Sequence, residues 1–334
     1  MKVRAAFLAQ GEACAALGSP FMQRLMQLVA RRLEPGQRVA DKVLDWQGDP
    51  SPNVDSLPLR LAGALHALRV QGKALTEVYP PNVVDDDTLW RAVCDALSEH
   101  AEHMLEWLDS PPQTNEVRRS AVILGGLARI RAHYDQPVEL LELGASAGLN
   151  LCADLYRLEL SGLTLGRDTS DVVLAPDWSG SLPTSALPKV VARRGVDLAP
   201  IDPGLPDGQL RLLAYLWPDQ PERMARTRAA IAEAARTGVD VQAGDAADWL
   251  AGALAHARPD RLMVVFHTVA WQYFPQATRA RLQQTMATAR VPLVQLAMEA
   301  DGGEGALVSL THWPDGRTEK LGRADFHGRW IRWN

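Results

Sequence analysis

The residues best placed to do chemistry lie in one short stretch, Glu142-Leu143-Gly144-Ala145-Ser146-Ala147-Gly148-Leu149-Asn150. Glycine tolerates backbone angles closed to other residues and lets a ligand approach the main chain. A tight turn of small residues that ends a strand and opens a helix would aim free N–H groups and a positive dipole end at a ligand. The same letters satisfy G-x-S-x-G across Gly144, Ser146 and Gly148, which would make Ser146 a nucleophile on a sharp turn. A third reading is a plain turn with no ligand.

The elements around this stretch must position it. Val138 to Leu143 is a short apolar run, expected as a buried strand, and Leu149 to Tyr156 continues with helical spacing. The helix expected over Asn115 to Tyr134 joins that strand through Asp135-Gln136-Pro137. A connection that short makes helix and strand antiparallel neighbours. The helix start, with Asn115, Glu116 and Arg119, should therefore return to the glycine turn and touch cofactor or acceptor.

Composition sets the outer limits. The chain has 334 residues, 47% apolar and 22% charged, with a net charge of −5. That is enough for one large domain or two, with an ordinary soluble balance and no general attraction to nucleic acid. Cys14, Cys94 and Cys152 form no CxxC pair, so neither a disulfide framework nor a metal centre is expected. Glu12 and Gln10 interrupt the Ala-rich N-terminus, which reads as a first helix rather than a signal peptide. No apolar run reaches the roughly 20 residues of a membrane span. A cytoplasmic protein with no membrane partner is the expectation, and its oligomeric state stays open.

Before residue 136 the periodicity is helical: Pro20 to Leu33, Leu59 to Gln71, and one long helix over Asp87 to Leu108, with Pro35 to Pro58 read as loop. After it, strands and helices alternate. Strands are expected at Val138–Leu143, at Lys189 to Asp197, at Val239 to Ala243, at Arg261 to Phe266 and at Val291 to Met298. A small hairpin is expected near Leu158 to Leu165 and Val172 to Leu174. Gly305 to His312 and Thr318 to Trp333 read as a closing β pair. Insertions fall near 157–185 and 203–236. An α-helical region, 1–135, thus precedes a mostly parallel α/β domain, 136–334, whose pocket it is expected to cover.

These residues carry a resemblance. Glu142-x-Gly144-x-Ser146-x-Gly148 resembles the first motif of S-adenosylmethionine-dependent methyltransferases, with Ser146 in place of the middle glycine. Five alternating units and a closing antiparallel hairpin look like that family's Rossmann-like sheet. With its helical front half, the whole chain looks like an uncharacterised bacterial family built on this core. The resemblance implies S-adenosylmethionine as cofactor and a small-molecule acceptor. It assigns cofactor contacts to Glu142, Gly144, Ala145, Ser146, Gly148 and Asn150, with Asp197, or else Asp202, on the ribose. Asp245 and Ala246 would take the adenine, with Trp249 against the base. His267 and Tyr273 become candidates for acting on the acceptor, and Gln272 and His66 for lining its site. Gly144-Ala145-Ser146-Ala147-Gly148 also looks like the elbow of some lipases, but the helical front half has no place for the strands and the His-Gly-Gly segment of a hydrolase. A non-catalytic S-adenosylmethionine-binding protein is the remaining alternative.

Overall fold

The computed structural model describes residues 2–52, 54–184 and 186–334; Met1, Asn53 and Ser185 lie outside the described residues. The helices are α1 Lys2–Ala16, α2 Pro20–Arg32, α3 Arg38–Leu44, α4 Leu57–Val70, α5 Asp86–Glu99, α6 Ala101–Asp109, α7 Ser120–Arg131, α8 Pro206–Ala214, α9 Pro221–Thr237, α10 Ala246–Ala255 and α11 Gln276–Ala287. The strands are β1 Val138–Leu143, β2 Arg157–Leu160, β3 Leu163–Gly166, β4 Val173–Leu174, β5 Asp177–Gly180, β6 Val190–Asp197, β7 Asp240–Ala243, β8 Leu262–Thr268, β9 Leu293–Ala300, β10 Ala306–Trp313, β11 Arg317–Ala324 and β12 Trp330–Trp333.

Two compact units divide the chain, one of 1–114 with 206–225, the other of 115–205 with 226–334. The boundary falls before residue 135, and a sequence-distant helical segment joins the first unit. Both shifts have packing causes. In the first unit, Ser19 Oγ donates to Asp219 Oδ1 at 2.6 Å and Phe21 N to Asp219 Oδ2 at 3.0 Å, so the 206–225 segment ties down the start of α2. In the second, α7 packs on β9: a Cβ at Gly126 would stand 2.5 Å from Leu296 Cδ2.

The first unit is helical. Its centre is α4, of which eleven of fourteen residues are buried. A helix apolar on every side belongs inside a bundle rather than on its surface. Buried Arg60 is tolerated there because Nε donates to Asp55 O at 2.6 Å and Nη1 to Leu108 O at 3.0 Å. Two expectations are corrected here. The stretch read as loop contains α3, whose Val39, Ala40 and Val43 are buried. The long helix over Asp87 to Leu108 is two helices, because His100 leaves helical geometry (φ −115°, ψ 33°).

The second unit is a mixed α/β structure built on a nine-stranded sheet of order β5-β12-β11-β10-β9-β8-β1-β6-β7. Strands β7, β6, β1, β8 and β9 are parallel, β9 to β12 form an antiparallel meander, and β5 lies parallel to β12 at the far edge. Every residue of β1 and β8 is buried, which matches their mostly apolar sequences, with Glu139 and Glu142 in β1 and His267 and Thr268 in β8 as the exceptions in type. The expected closing pair is three strands, since the chain turns at Asp325 to Arg329 between β11 and β12: Asp325 Oδ2 accepts from the N–H groups of His327 and Arg329, each at 3.1 Å. The inserted hairpin forms a separate three-stranded sheet, β3-β2-β4. Chain order reverses on either side of β1, whose neighbours are β6 and β8. In open α/β sheets such a reversal leaves a crevice outside the carboxyl ends of the strands.

Two glycines separate packing from propensity. Gly126→Val drives a branched side chain into buried Leu296 and should lower stability by about 2–3 kcal/mol. Gly252, in α10, has nothing within 4 Å of where its Cβ would stand. Gly252→Ala should therefore raise stability by up to about 1 kcal/mol. Urea unfolding of the two variants tests the opposite signs.

Candidate functional site

The carboxyl end of β1 runs into a turn with three left-handed residues, Gly144 (φ +72°), Ser146 (φ +53°) and Gly148 (φ +69°). Glycine is at home there, whereas serine carries strain. The turn is held from within. Gly144 N and Ala145 N donate to Val196 O, Gly148 N donates to Ala145 O, and Ser146 N donates to Asp197 Oδ2 at 2.8 Å. The turn leads into a single 3-10 segment, Leu149–Leu155, not the expected α-helix. The first N–H of that segment, of Leu149, donates to Asn115 Oδ1 at 2.9 Å. One of the N–H groups that a ligand-cradling helix start would offer is therefore already taken. The room beside Gly144 is also taken, since a Cβ there would stand 2.8 Å from Ala270 Cβ.

Asn115 thus sits at the exit of the turn, although the helix expected over Asn115 to Tyr134 is shorter: α7 follows a 3-10 turn, Val117–Arg119, and ends at Arg131, so six residues rather than three join it to β1. The neighbours of Asn115 close the same corner. Ser120 Oγ donates to Asn150 Oδ1 at 2.7 Å. Arg119 donates from Nε to Phe326 O at 2.8 Å and from Nη1 to Thr268 O at 3.0 Å, fastening this corner to the end of β8. Buried Glu116 accepts from Arg118 N at 3.2 Å, and its Oε2 lies 3.6 Å from His327 Nδ1.

Glutamates 139 and 142 are both buried in β1, on opposite faces because they are three residues apart. Glu139 is paired with Arg194 and with Arg261. Glu142, 2% exposed, has no such cation. Its Oε2 makes no hydrogen bond, and neither do Ser146 Oγ or Asn150 Nδ2 beside it. Burial pushes the Glu142 carboxyl well above the ordinary glutamate range and the charge of Asp197 pushes the same way. Arg119 and the facing Asn150 amide oppose the shift without cancelling it. Three buried polar atoms without a hydrogen-bond partner thus lie on the end of the central strand and the turn that follows it, and orphans this deep are uncommon in folded proteins.

The remaining expected residues are spread along neighbouring strand ends. Asp197, at the end of β6, accepts from Ser146 N and from Ala199 N at 3.0 Å. Asp202 accepts from Gly204 N within its own exposed loop. Asp245 caps α10, its Oδ1 accepting from Ala247 N and Asp248 N and its Oδ2 from Thr278 Oγ1. Burial opposes its ionisation, yet the Asp248 N–H, the Thr278 hydroxyl and the Ala247 N–H hold it below the usual carboxylate range. Ala246 is the buried first residue of α10, and Trp249 Nε1 donates to Gln242 Oε1 at 3.0 Å. His66 belongs to the helical unit, on α4.

His267 ends inside a closed chain of bonds. Trp313 Nε1 donates to Gln295 Oε1, which leaves Gln295 Nε2 to donate to His267 Nε2 at 2.9 Å. The network assigns the ring proton to Nδ1, 2.7 Å from Glu299 Oε1. The same oxygen accepts from Ala270 N and Trp271 N. Both ring nitrogens are engaged, and His267 braces the loop after β8. That loop begins at Val269, a β-branched residue held at φ +54°. It ends in the 3-10 turn Trp271–Tyr273, where Gln272 is exposed and Tyr273 is 75% exposed. Glu299 and Gln295 escaped the sequence reading. An acid near the carboxyl end of a strand was the signal available for Glu299; nothing local marks Gln295. Among the described residues no group of three or more His, Cys, Asp or Glu could hold a metal ion, and no helix is long and apolar enough to cross a membrane.

The orphaned carboxyl carries a pH signature. The folded protein keeps Glu142 protonated above the ordinary value of 4.5, while the unfolded chain ionises there. Unfolded chain then binds fewer protons than folded, so this site lowers stability as pH rises above that value. Glu142→Gln removes the dependence. Its melting temperature should exceed wild type at pH 7 to 8, and the gap should shrink as the pH is lowered to about 4. Thermal unfolding across that range measures it.

No curated protein matches this chain. The model of one family does, over residues 4–333, which is nearly the whole length. The chain belongs to the bacterial family DUF2332, described as an uncharacterized protein conserved in bacteria.

Proposed function

We propose that this chain binds S-adenosylmethionine at the carboxyl end of β1 and transfers its methyl group to a small-molecule acceptor. The observation that carries this reading is that Glu142 Oε2, Ser146 Oγ and Asn150 Nδ2, on the end of β1 and the turn after it, are buried and without partners where chain order reverses in the sheet. A buried carboxyl with a second carboxylate nearby favours a cation. The proposed ligand carries an ammonium and a sulfonium. On this reading Glu142 holds the ammonium, Ser146 and Asn150 take its carboxylate, and Asp197 and Asp245 remain acceptors for ribose and adenine. In the full reading the unit is a Rossmann-like methyltransferase core, supported by the parallel order β7-β6-β1-β8-β9.

The bound cofactor would supply an electrophilic methyl group. The chain's own residues do the rest. Glu142 gives up its proton to solvent as the cation binds, and Asn115 and Asp197 keep the turn in place. No base is required of His267, because alignment behind the methyl carbon supplies most of the acceleration in such a transfer.

Isothermal titration with S-adenosylmethionine tests this directly. Wild type should bind at millimolar concentration or tighter. Glu142→Gln should weaken binding by about 1.5–3 kcal/mol, the loss of a hydrogen bond to a charged group. Ser146→Gly should weaken it less, by about 0.5–1.5 kcal/mol, the loss of one hydrogen bond from a neutral hydroxyl. Absence of binding by wild type at millimolar ligand ends the proposal. A serine hydrolase is the second reading, favoured by the left-handed Ser146 and its unpartnered hydroxyl. Covalent labelling of Ser146 by a fluorophosphonate probe would put that reading first.

A further inference from the structure

A second group of residues able to do chemistry lies at the opposite end of the sheet from the glycine turn, where the chain enters β1. Tyr134 precedes β1, His312 on β10 pairs with Val294 near the start of β9, and Glu319 lies on β11. The three are joined in a line. Tyr134 Oη is 2.8 Å from His312 Nδ1, and His312 Nε2 is 3.0 Å from Glu319 Oε1. His312 is buried, whereas Tyr134 is partly exposed.

The direction of both bonds follows from the acid. Burial opposes ionisation of Glu319, but hydrogen bonds from Arg129 and His312 hold its carboxyl below the ordinary glutamate range. Arg129 donates to Glu319 Oε2 from Nε at 3.0 Å and from Nη2 at 2.9 Å, and Arg317 Nη1 donates to Oε1 at 3.3 Å. His133 packs edge-on against the His312 ring, with its Nε2 3.8 Å from Glu319 Oε1. An ionised carboxylate only accepts, so His312 Nε2 carries the ring proton. Nδ1 of the neutral ring is then an acceptor, and the Tyr134 O–H donates to it. The phenol stays protonated until a base takes its proton: burial raises it, Arg317 opposes, and Glu319 and Asp315 add to the rise. A hydroxyl bonded to an imidazole that a carboxylate orients is the arrangement of an activated nucleophile.

We propose that Tyr134 is an acyl-accepting nucleophile, with His312 as its base and Glu319 as a positioning residue, and that it takes an uncharged, activated acyl group from an ester or thioester. In the step, a bond forms between Tyr134 Oη and the acyl carbon. The bond from that carbon to the leaving oxygen or sulfur breaks, and the leaving group departs with the electron pair. The phenolic proton passes to His312 Nδ1, and the Glu319 carboxylate stabilises the imidazolium. A phosphoryl donor fits less well, because the charges of Glu319 and Asp315 act on the phenol and repel an anion. The proposal is independent of cofactor binding at the glycine turn.

The probe is p-nitrophenyl acetate, applied to the full chain and quenched early, with acetyl-tyrosine read by peptide mass spectrometry. Tyr273, 75% exposed, is the internal reference, and exposure alone would make it the faster of the two. Tyr134 should instead acetylate faster than Tyr273. His312→Asn should slow Tyr134 by about a hundredfold, the usual contribution of a positioned base. Glu319→Gln should slow it too, because an amide can donate to Nε2 and leave the ring proton on Nδ1. The Tyr273 rate should be the same in wild type and both variants. A merely structural chain predicts the reverse, since breaking it frees the phenol and speeds its acetylation. The proposal is overturned if wild-type Tyr134 reacts no faster than Tyr273, a comparison that needs no variant. It is overturned equally if either variant, with the circular dichroism of wild type, acetylates Tyr134 as fast as wild type or faster.

Discussion

The α/β unit depends on one residue at the end of a strand. Asp197 accepts from Ser146 N on one side and Ala199 N on the other, while its own carbonyl accepts from Gly244 N. Three loops, those after β1, β6 and β7, are thereby tied to a single position. A left-handed serine is costly, and the Asp197 carboxylate is what captures its N–H. The loop after β6 returns to the same place, since Ile201 N donates to Ser146 O. The glycine turn keeps its shape through bonds made within the protein.

That internal satisfaction makes the exceptions informative. On β1, Glu139 is neutralised by arginines from β6 and from the start of β8, an arrangement that needs no ligand. Glu142 is as deeply buried but has no arginine in direct contact, only the more distant charge of Arg119. His267 shows the opposite extreme, with both nitrogens spoken for in a chain running from Trp313 to Glu299. A ring so engaged is architecture: it orients Glu299, and Glu299 in turn fixes the two N–H groups just after strained Val269. The loop that covers Gly144 is therefore anchored at its base by β9.

The helical unit obeys a different constraint. A helix buried on all sides needs neighbours on all sides, and the chain supplies one from far downstream, α8, with the residues after it. Gly63 exists for that contact, because only a missing side chain lets the Tyr215 ring lie against α4.

Much of this was legible in the sequence. The mostly apolar runs of β1 and β8 marked central strands, and the return of the chain before β1 to the glycine turn was expected, though α7 is shorter and its link to β1 longer than the spacing implied. Strand ends could be read because buried strands are long apolar runs between polar turns. Other features were decided only in three dimensions. Leu149–Leu155 has helical spacing but forms a 3-10 segment, since Asn115 takes its first N–H and Tyr156 Oη donates to Leu149 O at 2.6 Å. Strand β5 was invisible because it has a parallel partner only at β12, more than a hundred residues away, and little apolar pattern of its own. Sequence marked Glu142, Asp197 and His267 alike as polar residues at strand ends. Which of them is paired, which ties loops together and which is left without a cation depends on what other strands bring alongside, and that is a property of the folded chain alone.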